Sequence, residues 1–314
     1  MTREKPSNLT ASVRQRLLGI IRETGDDANL IWTRYAIERF LYRLSVSEYV
    51  GDFILKGAML FMVWTGQSYR PTVDMDLLGH GEESGERLAE VFRAVCGVEV
   101  EPDGLVFAPD TLKVAPIRED QEYQGQRITL TAFLGKARIP IQVDVAFGDI
   151  VTPKAGKVTY PTLLDFPAPL IRACPRETVV AEKLQAMVML GIANSRMKDF
   201  YDLYVLARDF AFDGSTLTRA IKATFKRRKT DIPKRCPLAL TEEFANDHMK
   251  VVQWKAFVRK SGLEHEVPEF QNVISHLRAF LMPALKAASG LALTPQDWNI
   301  DGFWLHEDAN IEDS

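Results

Sequence analysis

Cysteine is scarce and unpatterned in this sequence. The three that occur, Cys96, Cys174 and Cys236, stand far apart, without the paired spacing that marks a disulfide framework or a zinc site. The five histidines are equally scattered. No apolar run approaches the roughly 18 residues of a membrane-spanning helix, and the opening Met1-Thr2-Arg3-Glu4-Lys5-Pro6 has no apolar signal region. A soluble cytoplasmic protein without membrane association is therefore expected. Net charge is also small, −3 at pH 7, so the chain as a whole does not advertise nucleic-acid binding. Internal repeats and low-complexity tracts are likewise missing. What is present is ample apolar material: 314 residues at 46% hydrophobic content can bury a sizeable core and are enough for two domains.

The most informative segment is Thr72-Val73-Asp74-Met75-Asp76-Leu77. Val73, Met75 and Leu77 alternate with the two acids, so a strand here would bury one face and point both carboxylates to the other. Like charges on one strand face repel unless a cation lies between them, which makes Asp74 and Asp76 candidate metal ligands. A helix's length earlier comes Lys56-Gly57-Ala58, with 54–57 reading as a short strand or turn and 58–64 as an apolar helix. A glycine at a helix entrance lets phosphate oxygens approach the backbone, and the neighbouring lysine adds positive charge. A third acid is expected on another strand. In 139–147, Ile139, Ile141, Val143, Val145 and Phe147 share one face, and Asp144 is the acid on the other.

A glycine turn, a helix, an Asp-x-Asp strand and a later strand with one more acid resemble the DNA polymerase β-like nucleotidyltransferases. The fuller string, Leu55-Lys56-Gly57-Ala58 followed by Arg70-Pro71-Thr72-Val73-Asp74-Met75-Asp76-Leu77-Leu78-Gly79, is similar to the AbiEii/AbiGii toxin family within them. Ala58 stands where many superfamily members have serine or glycine, which leaves backbone but not hydroxyl contacts to phosphate. Glu182-Lys183-Leu184, then Arg196, Asp199 and Asp202, match the family's Glu-Lys-Leu and Arg-x-x-Asp-x-x-Asp-Leu elements. The resemblance spans nearly the whole chain. It implies an α+β fold: a polymerase β-like core with a mixed sheet, flanking N-terminal helices and a helical C-terminal domain.

The resemblance also implies chemistry: nucleotidyl transfer from an NTP with two Mg²⁺ ions, Asp74 and Asp76 holding both and Asp144 the one that activates the acceptor. Lys56, Gly57, Ala58 and Arg70 would bind the nucleotide, Lys183 would contact the triphosphate, and Asp202 would fix Lys183 in place. The implied biology is the toxin half of a toxin–antitoxin or phage-defence pair, with an antitoxin partner that need not bind directly and an RNA acceptor, first of all the tRNA 3′ end. A protein or small-molecule hydroxyl as acceptor, or nucleotide binding without turnover, are the competing readings.

Each residue also has a plainer reading. An Asp-x-Asp strand is common at solvated edges, Lys183 and Asp202 could be an ordinary interhelical ion pair, and Arg70 could equally cap its loop. His80 reads as a loop residue and Lys198 as helix support. One local charge excess stands out: Lys222, Lys226, Arg227, Arg228, Lys229, Lys234 and Arg235 against Asp231 alone. Lys226 to Lys229 are the candidate RNA contacts, against a solvated helix end.

The organisation expected is 1–50 as N-terminal helices (12–23 and 29–44) packing on a core, 51–170 as the nucleotidyltransferase core, and 171–314 as a helical domain. Strands dominate 52–150, with 127–133 and 138–147 forming a hairpin around Leu134-Gly135-Lys136-Ala137. A proline-rich loop, 160–169, leads to helices at 177–190, with Pro175 in the first turn, and 196–208. The acidic tail after Asp297 is expected to fray.

Overall fold

The computed structural model describes residues 9–66, 69–117, 125–264 and 267–305. The chain forms two compact units, one of residues 1–148 with 156–174 and one of 149–155 with 175–314.

In the first unit, α1 (Leu9–Thr24) and α2 (Ala28–Val46) precede β1 (Phe53–Lys56), α3 (Met59–Thr65), β2 (Asp74–Gly79) and α4 (Gly85–Cys96). Then come β3 (Leu105–Ile117), β4 (Gly125–Leu134), β5 (Ala137–Phe147), β6 (Gly156–Thr159) and β7 (Leu170–Ala173). They make one mixed sheet of seven strands in the order β3-β4-β5-β2-β1-β7-β6. The central pair β2–β5 and the pair β1–β7 are parallel, while β1–β2 and the β3–β4–β5 meander are antiparallel. Alternation along β5 decides which face is covered: Ile139, Ile141, Val143, Val145 and Phe147 are buried, and the residues between them are not. Phe40 of α2 stacks on Phe92 of α4, and these rings meet Phe107 of β3 and Phe53 beside them.

Helix α4 was not anticipated in a stretch that reads as strands. Its signals are local: Ser84 caps the N-terminus by accepting from the Arg87 N–H at 3.2 Å, and Leu88, Val91, Phe92 and Val95 recur at helical spacing and are buried. The strand expected from Thr72 begins only at Asp74, and Val73, assigned to the buried face, is exposed. The 160–169 loop joins β6 to β7 and is closed by the Tyr160 N–H donating to the Pro169 carbonyl at 2.9 Å.

The second unit contains α5 (Arg176–Leu190), α6 (Met197–Asp209), β8 (Phe212–Asp213) and α7 (Gly214–Arg227), then α8 (Glu242–Asn246), α9 (His248–Lys260), α10 (Phe270–Ala288) and β9 (Asp297–Trp298). Pro175 is the N-cap of α5 rather than a first-turn residue. Helix α7 packs against α5 and α10, and α10 against α6. Phe200, Phe244, Phe270 and Trp254 form one aromatic cluster; Phe212, Phe280, Trp298 and Trp304 form another. The second cluster corrects the expectation of a fraying tail after Asp297. β9 pairs with β8, Trp298 and Trp304 are buried, and their indole N–H groups donate to the Ala207 and Phe280 carbonyls. The last residues of that tail, 306–314, lie outside the described residues, as do 1–8.

Candidate active site

Strand register places the acids. In the parallel pair β2–β5, Asp76 is the partner of Asp144, and in the antiparallel pair β1–β2 it is the partner of Lys56. On the far side of β5, Asp144 is the partner of Arg127 on β4. Register partners project from the same face, so Arg127, Asp144, Asp76 and Lys56 form a transverse row across four adjacent strands. Its charges run plus, minus, minus, plus. Asp74 lies on the same face two residues before Asp76 and opposite Gln142.

The row is held at its ends. Arg127 grips Asp144 with both arms of its guanidinium, Nε to Oδ1 at 2.8 Å and Nη2 to Oδ2 at 2.7 Å. That is the planar two-bond geometry in which arginine–carboxylate pairs are strongest and most directional. Arg127 is 42% exposed at its side chain and Asp144 18%, so the pair sits at a solvent-accessible part of the sheet. Lys56 is buried at the other end of the row.

Gly57 is required by the acid beside it. Its φ is +68°, in the left-handed region that side chains disfavour. A Cβ built there would lie 1.8 Å from Asp76 Oδ2. The Asp76 carboxylate thus occupies the volume a side chain would need, and the lack of a Cβ is what lets Lys56-Gly57 turn against β2. Ala58, in right-handed helical conformation, is the N-cap of α3 and offers no side-chain cap. Arg70 lies in the bend before β2, ahead of the row rather than in it, and His80 directly follows β2, where its N–H donates to the Asp52 carbonyl at 2.8 Å. Burial and nearby Arg172 hold its imidazole pKa below the ordinary value.

In the second unit, Lys183 of α5 reaches two carboxylates of α6. Its Nζ lies 2.5 Å from Asp199 Oδ1 and 2.9 Å from Asp202 Oδ2. Asp202 is almost wholly enclosed and Asp199 nearly so. An ammonium held between two largely buried acids on the next helix is fixed in place far more firmly than in a surface pair. Asp199 shares with Asp202 the holding of Lys183, a role for which only Asp202 is expected from the sequence.

The basic segment at the end of α7 divides in two. Lys226, Arg227 and Lys229 are exposed. Arg228, expected among the RNA contacts, turns inward: its guanidinium reaches both oxygens of Asp149 at 3.1 Å and Gln185 Oε1 at 2.9 Å, and Glu182 lies 4.0 Å away. It pins segment 149–155 to α5 and α7, a task shared by Thr178, whose hydroxyl donates to the Thr152 carbonyl at 2.7 Å and accepts from the Thr152 N–H at 2.8 Å.

Arg127 is the site residue that sequence reading missed. The hairpin itself carried the signal: counting seven residues back from Leu134 and seven forward from Ala137, the pair flanking the turn, leads to Arg127 and Asp144.

The mixed sheet thus sets an acidic strand beside a glycine turn, with a third acid in register on the next parallel strand. The chain belongs to the AbiEii family: the family described as nucleotidyl transferase AbiEii toxin, type IV toxin–antitoxin system, matches residues 39–276. No curated protein matches the chain. Among solved structures it is similar to an H. pylori protein assigned as a nucleotidyltransferase, at 15% identity and a TM-score of 0.46 over 81% of this chain and 94% of that one. It is also similar to JHP933 from Helicobacter pylori, at 14% identity and a TM-score of 0.46 over 80% and 90% of the two chains.

Proposed function

We propose that this protein transfers a nucleoside monophosphate from an NTP to an RNA acceptor, the 3′ end of tRNA, and so acts as a toxin on translation. The observation that carries the chemistry is the acid row: Asp76 and Asp144 in register on adjacent parallel strands, with Asp74 on the same face. Membership of the AbiEii family points the same way.

The residues fit a magnesium-type cation. Their donors are hard carboxylate oxygens on one face of the sheet. Among the described residues no three His, Cys, Asp or Glu side chains close into a ready-made metal cage. Mg²⁺ is characteristically bound by one or two carboxylates plus substrate phosphates and water, so an open acid row suits it. Asp74 and Asp76 would hold two such ions and Asp144 one of them. When bound, these ions neutralise charge on the reacting phosphate and lower the pKa of the attacking hydroxyl.

This chain's own groups do the rest. Asp144 faces the acceptor hydroxyl as ligand and proton acceptor. Lys56 and the Gly57-Ala58 backbone bring positive charge and N–H groups to the triphosphate, with Arg70 on the approach to β2. Within the second unit, Lys183, held by Asp199 and Asp202, offers a fixed ammonium suited to a phosphate. Exposed Lys226, Arg227 and Lys229 offer phosphate-backbone contacts for RNA.

The test is to incubate the protein with Mg²⁺, each α-labelled NTP in turn and total tRNA, beside Asp76→Ala. Label on tRNA from the wild type alone is expected. Label on protein or on a small molecule instead would replace the RNA acceptor, and equal labelling by Asp76→Ala would overturn the site.

A further inference from the structure

We infer that Arg127 is a positioning residue of the nucleotidyl-transfer site, fixing the orientation of the Asp144 carboxylate so that its remaining lone pairs are directed to a divalent cation. The inference rests on the acid row being the metal site.

The argument begins with repulsion. Asp144 and Asp76 are register partners on adjacent strands, and like charges directly opposite each other on a sheet push apart. A lone carboxylate at residue 144 would relieve this by rotating away from Asp76 toward solvent, which is the wrong direction for two acids that share a cation. Arg127 occupies the other flank. Its cross-strand position brings a positive fork to Asp144 from the side opposite Asp76. Both carboxylate oxygens are engaged, at 2.8 and 2.7 Å, so the plane of the group is set as well as its place.

The fork does not exhaust the acid. An ionised carboxylate has about four acceptor sites on its two oxygens, and two parallel N–H bonds take one from each. Asp144 therefore keeps acceptor capacity while its orientation is held. Carboxylates that ligate a metal are commonly held by hydrogen bonds in this way, and loss of the outer partner typically costs about 10- to 100-fold in metal affinity or activity. The plainer reading is an ordinary cross-strand ion pair at a partly exposed site, which contributes little to anything. The two readings part on function. A merely structural pair leaves cation binding and turnover alone, whereas a positioning residue controls both.

The experiment compares wild type, Arg127→Met and Arg127→Lys. Mn²⁺ affinity is measured by electron paramagnetic resonance, and kcat and KM for the NTP by label transfer. Arg127→Met is expected to bind Mn²⁺ about 10-fold more weakly and to lose about 100-fold in kcat, the usual cost of a misplaced reacting group, with the NTP KM changing by less than about 3-fold. Arg127→Lys, which keeps the charge but not the fork, is expected to fall between, and added guanidinium to restore part of the kcat of an Arg127→Ala protein. Mn²⁺ affinity and kcat within about 2-fold of wild type in Arg127→Met would overturn the inference. So would a KM raised about 10-fold at unchanged kcat, which assigns the arginine to substrate instead. If the wild type labels no acceptor, the proposed reaction fails on its own account, and the Mn²⁺ comparison still decides the role of Arg127.

Discussion

The arginine–carboxylate forks at Asp103 and at Asp144 both lie in the first unit, and their surroundings set them apart. Arg43 of α2 meets Asp103 with Nη1 to Oδ2 at 2.7 Å and Nη2 to Oδ1 at 3.2 Å. Asp103 is fully buried there, and also accepts from Arg39 Nε at 3.2 Å and from the Leu105 N–H at 3.1 Å. Arg39 in turn lies over the rings of Tyr42 and Phe166. Every side of that acid is committed to the protein, so the fork fastens α2 to the start of β3. The fork at Asp144 uses the same two functional groups at an open part of the sheet and leaves the acid able to take another partner. Burial, more than residue type, separates a fastening from a working group.

Substitutions can break this comparison. The largest contrast is in activity. Asp144→Asn is expected to lower labelling by at least about 1,000-fold while changing unfolding free energy by less than about 1 kcal/mol, because a partly exposed pair contributes little to stability. Asp103→Ala should do the reverse. Buried Arg43 loses its counter-charge and Arg39 is left with Glu38, at 3.5 Å, at a cost of about 3–5 kcal/mol in denaturant unfolding, while the folded fraction keeps its turnover. Equal stability losses in the two variants would erase the distinction.

Glu38 sharpens it further. This acid sits beside Arg39 on α2 and accepts from the Leu163 N–H at 2.7 Å. Burial raises its pKa from 4.5 to about 7, against the smaller opposing pull of the Leu163 N–H and Arg39. The folded protein therefore holds a proton that the unfolded chain has already released between those values. The resulting stability is fully present below pH 4.5 and is lost as pH rises through about 7. At about 1.4 kcal/mol per unit, the loss is on the order of 3 kcal/mol. Glu38→Gln should flatten this part of the pH–stability curve and be more stable than wild type at pH 8. A curve parallel to wild type would show that Glu38 is ionised at no cost.

The smallest effect is expected at Lys229, a non-glycine residue with φ +47° just past the end of α7. Lys229→Gly should stabilise the protein by about 0.5–1 kcal/mol by relieving the left-handed backbone. It should weaken tRNA binding modestly and reduce its salt dependence by one contact. A change in stability with no change in binding would remove Lys229 from the RNA surface.

Much of this was legible beforehand because it depends on short-range pattern. The strict alternation of 139–147 announced β5, and the Asp-x-Asp alternation placed two acids on one face. What escaped reading depends on contacts distant in the chain. That Asp76 faces Asp144 follows from the pairing of β2 with β5, strands more than sixty residues apart. That Arg228 turns inward follows from Asp149, far back in the chain, and nothing in a run of basic residues marks which of them is engaged. Helix α4 escaped for a different reason: its capping serine and apolar spacing were present but lay among strands.

The contact between Gly57 and Asp76 has a consequence for how this protein can vary. The carboxylate stands where a Cβ would be, so the two positions form one thermodynamically coupled unit, and substitutions at them should be strongly non-additive. A side chain at 57 displaces the acid without removing its charge, whereas shortening the acid first removes the two nearest atoms and leaves the Cβ of residue 76 at 2.8 Å. Even after losing the acid, a descendant of this chain would meet the left-handed φ of +68° at residue 57, which disfavours a side chain, so the turn is inherited together with the carboxylate it accommodates.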